Sequence, residues 1–159
     1  MTTDSIVIDE QAHTLTITRH YPAAADRVWA AWTEPDAIAR WWGPHGWSTT
    51  VERMDVRPGG QWWYSMAADD GSRGPVHLVA TYREVRPRER LSYLDQQATA
   101  DWVARGDSVP TDVTFTADDA GTRVSITAGF PDADALRQGV ESGMGEGYLE
   151  ALERLDAIV

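Results

Sequence analysis

Between residues 48 and 128 the chain passes through six short segments separated by turn signals, while helical periodicity lies only before and after them. Strands joined by short turns pair antiparallel, because a parallel pair needs a crossover of a dozen or more residues. The segments are 48–56, 61–67, 76–85, 91–96, 111–116 and 122–128. The clearest turns are Arg57-Pro58-Gly59-Gly60, Asp69-Asp70-Gly71 and Asp118-Asp119-Ala120-Gly121, built from residues that accept tight or left-handed backbone. Within 61–67, Trp62, Tyr64 and Met66 share one face, and Trp63 and Ser65 the other. Residues 98–109 form a longer loop carrying Trp102.

The flanks complete the pattern. The apolar run 6–8 and the alternating stretch 14–19, with a turn at 9–12, read as an edge hairpin or one broken strand. Pro22 is expected to open a helix in which Ala24, Val28, Ala31 and Trp32 recur at helical spacing, and Pro35 to end it. A second short helix, 35–42, sets Ile38, Trp41 and Trp42 on one side. After Pro131, residues 132–158 are predicted to form one long helix with Leu136, Val140, Met144, Tyr148, Leu152 and Leu155 as its apolar stripe. The class is therefore α+β, with two short helices after the first strand and helices packed on one face of a curved antiparallel sheet. A chain of 159 residues suits a single domain, 1–159.

Composition narrows the function. There is no cysteine, so disulfides, thiolate catalysis and cysteine-held metals are excluded. All 14 basic residues are arginine, which excludes Schiff-base and phosphate-loop lysine chemistry. A net charge of -11 argues against nucleic acid, whose phosphates need a positive footprint, and against anionic membranes. The start, Met1-Thr2-Thr3-Asp4, has neither a basic nor an apolar leader region, and a cytoplasmic location is expected. The histidines His13, His20, His45 and His77 show no metal-ligand spacing, so no metal site is expected, and no cofactor motif is present.

Four blocks, in order, carry a resemblance. They are Pro22-x5-Val28-Trp29-x-Ala31-x-Thr33-x-Pro35-x2-Ile38-x2-Trp41-Trp42-Gly43-Pro44; Asp55-x-Arg57-x-Gly59-Gly60-x-Trp62-x-Tyr64-x-Met66 with Asp70-Gly71; Tyr82-x-Glu84-Val85-x-Pro87-x-Glu89-Arg90-Leu91; and Gly143-Met144-x2-Gly147-Tyr148-x3-Leu152-x2-Leu155. Together they resemble the START-like (SRPBCC) superfamily, in the branch named for the activator of a heat-shock chaperone ATPase. The resemblance implies a helix-grip fold, a curved antiparallel sheet wrapped around a long C-terminal helix with a cavity between them. Members bind lipids or polyketides, cyclise aromatic polyketides, or protect producers from their own antibiotics. The chain has Gly147-Tyr148 where the family usually has Gly-Trp, which brings a hydroxyl near the cavity. The chaperone-docking domain that precedes this fold in eukaryotic activators is missing from the sequence. A chaperone co-regulator is accordingly the least expected role.

Eight tryptophans against two phenylalanines must fill a core or line a pocket. The expected wall comprises Trp42, Trp62, Tyr64, Met66, His77, Tyr93, Met144 and Tyr148, with Trp102 capping the mouth. Gly139, Gly143, Gly145 and Gly147 each cost a helix about 1 kcal/mol against alanine, so they serve either close packing or ligand volume. His77 and Asp95 are the catalytic candidates, His77 as a general base if it points inward and Asp95 as a carboxyl at same-face spacing from Tyr93 that would share its cavity wall. Glu84 is better explained by a structural hydrogen bond or an arginine pairing. The expected function is binding of an apolar, aromatic or polycyclic small molecule. The alternatives are a polyketide cyclase or hydrolase acting on a similar ligand and self-resistance by sequestration. Trp63 marks a candidate homodimer face.

Overall fold

The computed structural model describes residues 4–159. Its elements run β1 (Ser5–Asp9), β2 (Thr14–Tyr21), α1 (Ala25–Thr33), α2 (Pro35–Ile38), β3 (Trp47–Met54), β4 (Gln61–Ala68), β5 (Val76–Arg86), β6 (Arg90–Ala98), β7 (Val109–Asp118), β8 (Gly121–Gly129), α3 (Ala133–Glu141) and α4 (Met144–Leu155). The strands form one eight-stranded sheet in the order β1-β2-β8-β7-β6-β5-β4-β3. Every neighbouring pair is antiparallel, as short turns require. The first two strands are a hairpin, Asp9 facing Thr14, and β1 is the sheet's exposed edge.

Period-two burial builds the core. Leu15, Ile17 and Tyr21 on β2, Val124, Ile126 and Ala128 on β8, and Val113 and Phe115 on β7 are buried on one face. Against that face pack Val28, Ala31 and Trp32 of α1 and Leu152 and Leu155 of α4. Each such aliphatic side chain contributes roughly 1.5–3 kcal/mol by leaving water. Arg19, on the same face of β2, is an exception held by its partners. Its guanidinium grips Asp156 just beyond α4 with bonds of 2.6 and 3.2 Å, and also pairs with Asp4. These contacts and the Tyr21 hydroxyl, which donates to the Leu152 carbonyl at 2.6 Å, fasten α4 across the sheet. This is the helix-grip arrangement.

Local boundaries differ from the sequence expectation in three places. The first helix begins at Ala25, three residues after Pro22, with Ala24 in extended conformation as its unassisted cap. The second is a single turn from Pro35 to Ile38, and Trp41 and Trp42 follow in the turn beyond it. The predicted long helix 132–158 is two helices. Asp132 caps α3 by accepting from the Ala135 amide at 2.8 Å, and Gly143, at φ +84°, separates α3 from α4. The apolar period crosses this break undisturbed because both helices face the same core. Among the described residues no helix is long and apolar enough to cross a membrane.

Candidate functional site

The site assembles from four elements and one connection. Alternation along β4 turns Trp62, Tyr64 and Met66 inward, as their side-by-side spacing predicts. Register then decides β5 and β6: Ala80 lies opposite Trp62 and Asp95, and Tyr82 opposite Tyr93, so Leu78, Ala80, Tyr82, Tyr93 and Asp95 share that inner face. From the opposite side α4 presents Met144, Gly147, Tyr148 and Ala151, and Trp42-Gly43-Pro44 closes one rim. The hollow between them is about 150 Å³. A wider outer hollow of about 390 Å³ shares Leu78, Asp95, Met144 and Tyr148 with it and reaches Gln97, Arg105 and Asp107. The two together lead from the surface to an aromatic floor.

Tyr64 stacks on Trp62 with ring centres 4.0 Å apart, while Trp42 meets Trp62 edge-on at 5.4 Å and Tyr148 at 6.1 Å. Trp62 and Tyr93 are almost fully buried and back this wall rather than line it. The Trp62 indole nitrogen and the Tyr93 and Tyr82 hydroxyls have no hydrogen-bond partner among the described residues. The rim is fixed from a distance. Arg154 of α4 donates to the carbonyls of Gly43 and Trp47 at 3.0 Å, of Pro44 at 3.2 Å and of Trp42 at 3.4 Å. Thr49 donates to the Trp42 carbonyl at 2.8 Å.

Asp95 is the one ionised-type group on the floor. It accepts from the Tyr64 hydroxyl at 3.0 and 3.2 Å. Burial pushes its carboxyl up to about 7, a rise only partly opposed by that bond and by the Gln96 amide. Burial likewise holds the hydroxyls of Tyr64, Tyr93 and Tyr148 above the ordinary tyrosine range, so at neutral pH they are donors. The arrangement has room for an apolar group beside one carboxyl whose value lies near neutrality.

The helix glycines divide by role. A side chain at Gly139 would meet the Phe130 ring at 2.7 Å, and one at Gly145 would meet Ile6 at 3.3 Å, so these two serve close packing. Gly143 is needed for its backbone. Gly147 faces open space and lines the hollow, so it is the one that leaves volume.

Two expected wall residues lie elsewhere. His77 faces Ser65 across the β4–β5 ladder, which places it on the outer face with Trp63. Trp102 stacks on Trp63 at 5.6 Å and meets His77 edge-on at 4.9 Å, so it covers the back of the sheet and does not cap the mouth. The left-handed backbone of Trp102, φ +65°, is held by that packing. Trp63 is half-buried, stacked against Trp102 with the Arg53 guanidinium 5.3 Å from its ring centre. Glu84 pairs with Arg86 and Arg90 at 2.8 and 2.9 Å, a structural role. Sequence reasoning missed Leu78, Arg105 and Arg154. Same-face spacing from Ala80 and Tyr82 identifies Leu78 once one cross-strand pair is known; nothing local marks the other two.

Residues 22–159 match the family model described as Activator of Hsp90 ATPase homolog 1-like protein. No curated protein matches the sequence. Among solved structures, protein Ms6760 from Mycobacterium smegmatis is 30% identical, with a TM-score of 0.88 over 100% of this chain and 97% of its own. A protein from Arthrobacter aurescens is 28% identical, with a TM-score of 0.89 over 97% of this chain and 90% of its own. DynU16, a protein in the dynemicin biosynthetic locus, is similar in fold, with a TM-score of 0.68 and 21% identity over 91% of this chain and 46% of its own.

Proposed function

This chain belongs to the Activator of Hsp90 ATPase homolog 1-like family, and from that premise we propose that it binds a small apolar, aromatic molecule between β4–β6 and α4. The observation that carries the reading is the hollow itself, with Trp42, Tyr64 and Tyr148 around it and Gly147 leaving it open. Pockets that combine apolar and aromatic walls with few polar groups are those small molecules use. A hollow of about 150 Å³ suits one aromatic ring; a polycyclic ligand would extend into the outer hollow past Leu78 and Met144. The biosynthetic locus of DynU16 fits a natural-product ligand.

A second reading, a cyclase or hydrolase of polyketide type, is favoured by one observation. Asp95 titrates near neutrality beside a hydroxyl donor, which is what a general acid–base group needs. Turnover of a polyketide fragment that disappears in Asp95→Asn separates the enzyme from the binder. Tight stoichiometric binding of a toxic product without turnover is the mark of sequestration.

Two variants test the binding reading from opposite directions. Tyr148→Ala removes a wall ring and is expected to weaken binding of a single-ring or polyketide-fragment ligand by more than about tenfold, a loss of about 1.4 kcal/mol. Gly147→Leu fills the hollow and is expected to abolish binding while improving helix propensity. Fluorescence titration, with circular dichroism to check the fold, reads both. Unchanged affinity in the two folded variants overturns the assignment.

A further inference from the structure

We propose that the ligand carries an amine, and that its ammonium group sits against the Asp95 carboxylate inside the aromatic hollow. The proposal rests on the binding reading above and names the chemical class it takes. A carboxylate on an otherwise aromatic floor needs a partner, and the described residues supply only the Tyr64 hydroxyl and the Gln96 amide. The groups that face Asp95 are Tyr64 from β4, Tyr82 from β5, Tyr93 from β6 and Tyr148 from α4, all neutral at physiological pH. Among the described residues no cation stands within ion-pair distance of it. Arg105 and Asp107 lie at the mouth, and both are exposed to solvent.

An ammonium ion matches this floor in two ways. It pairs with the carboxylate, and aromatic rings within about 6 Å attract a cation through their negative faces. Trp42, Tyr64 and Tyr148 line the same hollow as Asp95. The net charge of -11 adds long-range attraction for a cation. A neutral aromatic of the same shape gains the burial but leaves the carboxylate without a counter-charge, and an anionic one is repelled.

The test is calorimetric titration with benzylamine and benzyl alcohol, which share one ring and differ in charge. At pH about 8.5 both Asp95 and the ammonium are ionised, and benzylamine is expected to bind at least about tenfold more tightly than the alcohol. At pH about 5.5 Asp95 is mostly protonated, and the preference is expected to fall by about tenfold or more. Asp95→Asn is expected to remove both the preference and its pH dependence. Equal or stronger binding of the alcohol at the higher pH overturns the amine proposal and leaves the hollow as a binding site. A preference that survives in Asp95→Asn also overturns it. Binding of neither probe overturns the underlying binding reading as well.

Discussion

Asp95→Asn is expected to stabilise the protein at pH 8 by as much as about 4 kcal/mol, while leaving stability near pH 4 almost unchanged. The figure follows from a carboxyl whose ordinary value, 3.8, is raised to about 7 in the folded state, at about 1.4 kcal/mol per unit. A raised acid is favoured in its protonated form by the fold. Its contribution is full below the unfolded value, is lost as pH climbs from about 4 to about 7, and stays lost above that. Asparagine keeps an acceptor for the Tyr64 hydroxyl and never ionises, so the gap between variant and parent opens over that window. Thermal unfolding at a series of pH values measures it, with a rise of roughly 10 °C expected at pH 8 for a chain of this size. A constant difference across the window would mean that Asp95 carries its charge at no cost to the fold. Such a cost is what a carboxyl kept for binding or proton transfer imposes, since a purely structural role would be served at least as well by asparagine.

Arg154→Met is expected to cost about 2–4 kcal/mol, well beyond an ordinary half-buried substitution. Methionine retains much of the aliphatic stem and loses the guanidinium. One nitrogen of that group reaches four carbonyls between Trp42 and Trp47, and hydrogen bonds to a charged donor contribute about 1.5–3 kcal/mol each when unshared. Here they are shared, so the sum is discounted. Urea unfolding at constant slope checks the stability, and ligand titration checks the rim. The variant is expected to bind more weakly because the rim keeps the Thr49 and Glu150 contacts but loses the four guanidinium bonds. A loss below about 0.5 kcal/mol would show that the rim holds itself.

Much of this architecture is legible in the residues, and the failures are instructive. Along β4 the inner face is readable because large aromatics occupy alternate positions. On β5 the rule gives no answer: Val76, Leu78 and Val79 are all apolar, so His77 has no visible polarity contrast to place it. The reason is structural. Trp102 folds onto the outer face and half-buries it with Trp63, which erases the usual wet side. The same fold-back explains why Trp102 reads as a mouth residue and is not one. The helix break at Gly143 is silent because the apolar period continues across it. Gly147, by contrast, shows its purpose only beside Gly139 and Gly145, once space is seen at one and contact at the others. Arg154 acts over more than a hundred residues of chain, and no local pattern announces such a contact.

The two faces of the sheet also provide the most direct test of the central claim, that a small aromatic molecule enters the hollow beneath α4. Trp42 and Trp62 stand on the inner side, and Trp63 and Trp102 are stacked on the outer side. Nuclear magnetic resonance of the tryptophan indole N–H groups, followed during titration with single-ring aromatic amines and alcohols, reads both sides at once. Saturable shifts at Trp42 and Trp62, with Trp63 and Trp102 unmoved, are the predicted result. Shifts confined to Trp63 and Trp102, or none at any indole across the panel, would contradict it.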